Sequence, residues 1–170
     1  MKQQALGDLA LVWHLIGPLQ SNKTAEVAAH FDWVHALDRL RIAERLSRQR
    51  PAHLPPLNVC LQVNTSGESS KSGVDPAELL ELALGVTALP GLSLRGLMCL
   101  PEPVEGFEAQ RREFQHLATL ADVLRAQGLR LDTLSMGTTA DLAAAVTEGA
   151  SWVRVGTGIF GPRPGPAAHQ

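Results

Sequence analysis

Leu134-Ser135-Met136-Gly137-Thr138-Thr139-Ala140-Asp141, followed by Trp152-Val153-Arg154-Val155-Gly156-Thr157-Gly158-Ile159-Phe160-Gly161, decides the reading of the fold. Twice, a short apolar run ends in small, hydroxyl-bearing and glycine residues, and the first run leads straight into a helical pattern. Backbone N–H groups point outward at such a turn, and a helix N-terminus adds positive partial charge, so a phosphate fits there. Two turns of this kind near the end of a strand–helix alternation match the phosphate site after the last two strands of a (β/α)8 barrel. A pair of ordinary strand-to-loop turns is the alternative reading of the same residues.

Outward from this stretch, apolar runs alternate with helical periodicity along the chain. Strands are expected at residues 12–18, 33–37, 57–64, 94–100, 133–136 and 152–155, and helices at 22–30, 38–50, 75–89, 106–127 and 139–148. Asp75-Pro76 reads as an N-cap followed by proline at the first helical position, while Gly128 and Gly149 stop their helices. Leu79, Leu82, Ala83 and Val86 fall at helical spacing and predict one buried face. Repeated strand–helix–strand units give parallel strands with helices packed outside. Six strands suit an open doubly wound sheet as well as part of an eight-stranded barrel, and the pattern alone leaves the two tied. The absence of G-x-G-x-x-G after the first strand argues against a dinucleotide fold.

The chain has 170 residues and 45% hydrophobic content, enough for one domain with a real core. That domain is expected over residues 1–163, with a flexible Pro/Gly tail at 164–170. A formal net charge of −2, with no basic run, gives no reason to expect a nucleic-acid partner. No apolar stretch is long enough for a membrane span and no secretory signal opens the sequence, so a cytoplasmic address is expected. Cys60 and Cys99 lie in apolar runs and read as buried thiols, and the six histidines are scattered without ligand spacing, so no metal is assigned.

Several stretches carry a family resemblance. Trp13-His14-Leu15-Ile16-Gly17-Pro18-Leu19-Gln20-Ser21-Asn22-Lys23 resembles the H-x-I-G-x-L-Q-x-N-K signature of the pyridoxal-phosphate homeostasis proteins, single-domain relatives of the alanine racemase barrel. The run from Asn64 through Ser69-Ser70-Lys71-Ser72-Gly73 is similar to the family's K-x-G stretch, and Leu94-Arg95-Gly96-Leu97-Met98 to its R-G-L-M strand. The two opening segments resemble its S-M-G-M-S and V-R-I-G-T-x-I-F-G motifs, and the likeness runs from about residue 2 to residue 163.

The resemblance implies a (β/α)8 TIM-type barrel that holds pyridoxal 5′-phosphate (PLP) without catalytic turnover, buffering it or delivering it to PLP-dependent apo-enzymes. Carried over by motif, Ser135, Thr139, Gly156 and Thr157 hold the phosphate and Arg154 faces the pyridine nitrogen, with Asn22 and Lys71 completing the implied cofactor set. Each also has a plainer reading. Arg154 could be a structural ion-pair member, Ser135 a strand end, Thr139 a helix cap, Asn22 an N-cap and Lys71 a solvated loop lysine.

The family's Schiff-base lysine belongs to a first strand that has no counterpart here, since Lys2, Lys23 and Lys71 all map elsewhere. The expectation is therefore an incomplete barrel of about six of the eight strands, numbers three to eight. PLP would be held noncovalently, and the open edges of the first and last strands favour self-association. The turn Gly137-Thr138-Thr139 replaces the family's G-M-S, and Ala143 stands where the family often has an acidic residue. The alternatives are a PLP-dependent amino-acid racemase and a degenerate barrel fragment that binds no cofactor. Racemisation requires the missing lysine and, in alanine racemases, a tyrosine, of which this sequence has none.

Overall fold

The computed structural model describes residues 5–6, 8–67 and 72–162. Lys71 and the expected tail at 164–170 lie outside the described residues. Six parallel strands run in chain order: β1 (His14–Leu15), β2 (Trp33–Leu37), β3 (Leu57–Gln62), β4 (Leu92–Met98), β5 (Thr133–Thr138) and β6 (Trp152–Arg154). Between them lie α1 (Thr24–His30), α2 (Leu40–Gln49), α3 (Leu79–Thr87), α4 (Phe107–Ala126) and α5 (Leu142–Thr147), with a final turn of helix α6 (Thr157–Phe160).

Two observations resolve the barrel against the open sheet. A doubly wound sheet reverses its strand order at a switch point, whereas this sheet runs β1 to β6 with no reversal. The sheet also curls far enough for its ends to meet. The rings of His14 on β1 and Trp152 on β6 lie 4.6 Å apart, centroid to centroid. The fold is therefore the (β/α)8 type with six strands in place, and register irregularities in three of the five pairings accompany the curvature.

Strand alternation, interrupted in β2 by the irregularity between Val34 and Leu37, separates two packing layers. Val34, Leu37, Val59, Leu61, Leu97, Leu134 and Met136 belong to one large core with the helices. That core receives Ile42, Ala43 and Leu46 from α2, the expected face of Leu79, Leu82, Ala83 and Val86 from α3, and Phe114, Leu117, Ala121 and Leu124 from α4. A smaller cluster of Trp33, Ala36, Cys60 and Met98 fills the barrel interior. Both cysteines are free and buried, and burial pushes each thiol up to about 12.

At the N-terminal ends of the strands the interior is closed by side chains. The Trp33 and His14 rings stack at 5.4 Å, Trp152 approaches Trp33 at 5.8 Å, and the Arg95 guanidinium lies 5.2 Å from the Trp33 centroid. Arg95 is held there by Asp132 and by Asn58 Oδ1 at 2.9 Å. These rings and Arg95 fill the interior at this end of the strands.

Helix starts differ from the sequence expectation, for local reasons. Asp75 accepts the Ala77 N–H at 2.8 Å, but it caps a turn and α3 begins only at Leu79. The segment 139–141 is likewise a turn, fixed by Asp141 accepting from the N–H and hydroxyl of Thr138 at 2.5 and 2.9 Å. Asn22 sits in a short 3-10 turn, Ser21–Lys23, and makes no capping bond to α1. The short helix α6 was not anticipated from the sequence.

Gly96 of the R-G-L-M stretch is dictated by sheet packing. A Cβ there would lie 1.7 Å from the Thr133 carbonyl oxygen on the neighbouring strand. Gly96→Ala is expected to destabilise the fold by about 3 kcal/mol, read as a lowered urea midpoint, because the obstacle is backbone that cannot step aside.

Candidate functional site

Four strands aim polar side chains at one point inside the curled sheet. His14 comes from β1, His35 from β2, Ser135 from β5 and Arg154 from β6, and all four line a cavity of about 420 Å³ that extends to Gly156. That volume is in the range of small-molecule sites.

The four are joined by hydrogen bonds. Arg154 Nη1 donates to the Ser135 hydroxyl at 3.0 Å and to its carbonyl at 3.1 Å, and Nη2 donates to the Cys99 carbonyl at 2.9 Å. Ser135 Oγ lies 2.7 Å from His35 Nδ1, and His35 Nε2 lies 2.8 Å from His14 Nδ1. Burial, together with the nearby His14 and Arg154, lowers the His35 pKa to about 4. Burial also lowers the pKa of His14, though Asp32 opposes it.

Arg154 is a half-buried cation whose hydrogen bonds go to neutral oxygens. No carboxylate lies within ion-pair distance of it among the described residues, although Asp141 is near enough to favour its charge. Its Nε is buried with no acceptor. A guanidinium in this state is costly, and an electron-rich group in the cavity that Arg154 lines would offset part of that cost. Burial lowers its pKa, yet arginine stays charged at any ordinary pH.

Beyond β6, the Gly156 and Gly158 N–H groups converge on Thr139 Oγ1 at 3.3 and 3.2 Å. Two amides meeting at one oxygen form the type of donor set that a phosphate oxygen accepts from. Close approach shapes this corner too. Gly137 has φ +92°, and a Cβ there would lie 2.4 Å from the Ala145 Cβ of α5.

Of the residues expected from sequence, Ser135, Arg154 and Gly156 line the cavity, and Thr139 is tied to Gly156. Thr157 is exposed at the start of α6. Asn22 is exposed on the turn after β1 and does not line the cavity. His14 and His35 were missed as site residues. Alternation in 33–37 puts His35 on the face of Trp33, but nothing local tells that this face meets Ser135, which is 100 positions away.

Comparison with known proteins agrees with this fold. The family described as alanine racemase, N-terminal domain, matches residues 5–164. The pyridoxal phosphate homeostasis protein of Pseudomonas aeruginosa is 60% identical over 162 residues, covering 95% of this chain and 69% of that protein. Its Escherichia coli K12 counterpart is 52% identical over 160 residues, covering 94% and 68%. The chain thus spans about two thirds of the length of these relatives. PipY of Synechococcus elongatus PCC7942, solved with PLP bound, superposes with a TM-score of 0.85 at 40% identity, covering 94% of this chain and 76% of PipY. An alanine racemase from Clostridium difficile 630, at 12% identity and TM-score 0.76, shares the fold over 96% of this chain and 44% of that one.

The chain belongs to the pyridoxal phosphate homeostasis protein family, a branch of the alanine racemase N-terminal barrel. No described helix is long and apolar enough to cross a membrane.

The His35 environment sets a pH dependence. The unfolded residue takes a proton near 6.5 and the folded one only near 4, so the unfolded state binds more protons between these values. Stability is therefore full above 6.5, falls as pH drops, and levels off below about 4. One group gives a slope of at most about 1.4 kcal/mol per pH unit. Urea unfolding across this window should show the fall, and His35→Asn should flatten it.

Proposed function

We propose that this chain binds PLP noncovalently and serves intracellular PLP homeostasis, holding the reactive aldehyde and releasing it to PLP-dependent apo-enzymes in the cytoplasm, with no turnover of its own. The observation that carries this reading is the half-buried Arg154 guanidinium, bonded only to neutral oxygens and with its buried Nε lacking an acceptor, beside the converging amides of Gly156 and Gly158. Arg154 suits a ring nitrogen lone pair, and the two amides with Thr139 suit a phosphate. PipY, solved with PLP bound, and the name shared by the curated relatives support it.

The donor set also favours storage over chemistry. PLP supplies an aldehyde and an electron-withdrawing ring, and the ring withdraws strongly only when its nitrogen is protonated. A guanidinium does not surrender its proton, so Arg154 would keep the ring in its weaker form. None of the cavity-lining residues is a lysine, and Lys23 lies elsewhere, exposed and paired with Glu26 at 3.8 Å.

Thermal unfolding with PLP, pyridoxal and inorganic phosphate tests the reading. PLP should raise Tm well beyond either control, and Arg154→Gln should weaken PLP binding about tenfold or more, as for a lost charge-assisted hydrogen bond. Equal shifts with phosphate, or none with PLP, would overturn it.

Self-association belongs to the same proposal. Among the described residues the outer edges of β1 and β6 have no strand beside them in the sheet, and Val12, Val153 and Phe160 are exposed, Phe160 at 85%. Sedimentation velocity should find a concentration-dependent oligomer that Phe160→Asp weakens.

A further inference from the structure

The donors and acceptors of the buried polar chain follow from Arg154 when the serine proton is given an acceptor within the chain. A guanidinium only donates, so Ser135 Oγ must accept from Nη1. The Ser135 hydroxyl has one proton left to give, and the neighbour placed to take it is His35 Nδ1 at 2.7 Å. With Nδ1 accepting, the His35 proton sits on Nε2 and is donated to His14 Nδ1 at 2.8 Å. His14 then carries its own proton on Nε2, on a ring that lines the cavity. We infer that His35 is a positioning residue: as the neutral Nε2–H tautomer it takes the Ser135 hydroxyl proton, so that Ser135 presents its lone pair to Arg154 and holds the guanidinium aimed into the cavity.

The reverse direction is disfavoured while Arg154 is in place. With a proton on His35 Nδ1, Ser135 Oγ would accept from both His35 and Arg154, and the serine proton would lose the acceptor that Nδ1 offers it. The surroundings hold His35 neutral from each side that carries a titratable group. His14 from β1 and Arg154 from β6 both disfavour its positive charge, the Cys60 thiol of β3 is neutral, and no carboxylate acts on it among the described residues. Alternation within β2 and the curl of the sheet place this imidazole against Ser135 of β5, a strand that is not its neighbour in the sheet.

The inference deepens the PLP-binding proposal, since Arg154 is the group assigned to the cofactor ring, but the test separates the two. Ring 15N spectra of the full chain without ligand should show His35 and His14 both as neutral Nε2–H tautomers at pH 7, and a protected Arg154 Nε–H signal. His35→Leu should broaden that Arg154 signal and weaken PLP binding about tenfold, roughly one hydrogen bond. His35→Asn, whose amide oxygen can take the serine proton, should restore both. An Nδ1–H tautomer or a cationic His35 at pH 7 would overturn the inference, as would equal damage from Leu and Asn. The spectra of the unsubstituted chain decide the matter even if the Leu variant does not fold. Failure to bind PLP with the expected tautomers present would overturn the proposed function and leave the positioning role standing.

Discussion

A guanidinium enclosed by neutral oxygens is the constraint around which the barrel interior is arranged. Arg154 on β6 bonds the Ser135 side chain and carbonyl on β5 and the Cys99 carbonyl just past β4, so one side chain ties three consecutive strands together. Through Ser135 and His35 the same network reaches β2 and β1. The outer strands thus share one polar network across the interior, beside the aromatic contacts of His14 and Trp152. A charge with no buried counter-charge is an expensive thing to keep. Keeping it makes sense if the residue has to meet something that enters the cavity.

Stability and function are divided between two faces of the same sheet. The outward face supplies a large, ordinary hydrophobic core against the helices, and this core asks only for apolar residues at the right period. The inward face mixes a small apolar cluster with rings at one end and polar groups at the other. At one end Arg95 pairs with Asp132 and caps Trp33, closing the interior. At the other end Arg154 has no carboxylate within ion-pair distance among the described residues, and it lines the cavity. The two arginines therefore differ in that one is closed into an ion pair and the other hydrogen-bonds to neutral oxygens.

Much of the strand–helix order was legible because it depends on periods of two and about 3.6 residues, which are local. Strand 33–37 came out with the expected limits and the α3 face with the expected residues. The misses are local competitions that hydrophobic period does not report. Asp141 captures the backbone of Thr138 and delays α5, and Asp75 caps a turn rather than the helix. In the site, Ser135, Arg154 and Gly156 were reached through motif, and the cavity does gather them. Thr139 was expected at the phosphate or as a cap, and its hydroxyl in fact receives two glycine amides. Asn22 had only its motif to recommend it and lies away from the cavity.

By itself the sequence determined the alternation of parallel strands and covering helices, the faces that are buried, and the family. All three reside in short-range patterns or in motifs of contiguous residues. The strand–helix pattern left a curled barrel and an open sheet tied; the resemblance implied the barrel, and the tertiary structure shows it in contacts between β1 and β6, far apart in the chain. It also revealed His14 and His35 as members of the site. A histidine has no fixed charge and no fixed donor, and its role exists only once a serine 100 residues away and a permanent cation beyond it are brought into reach.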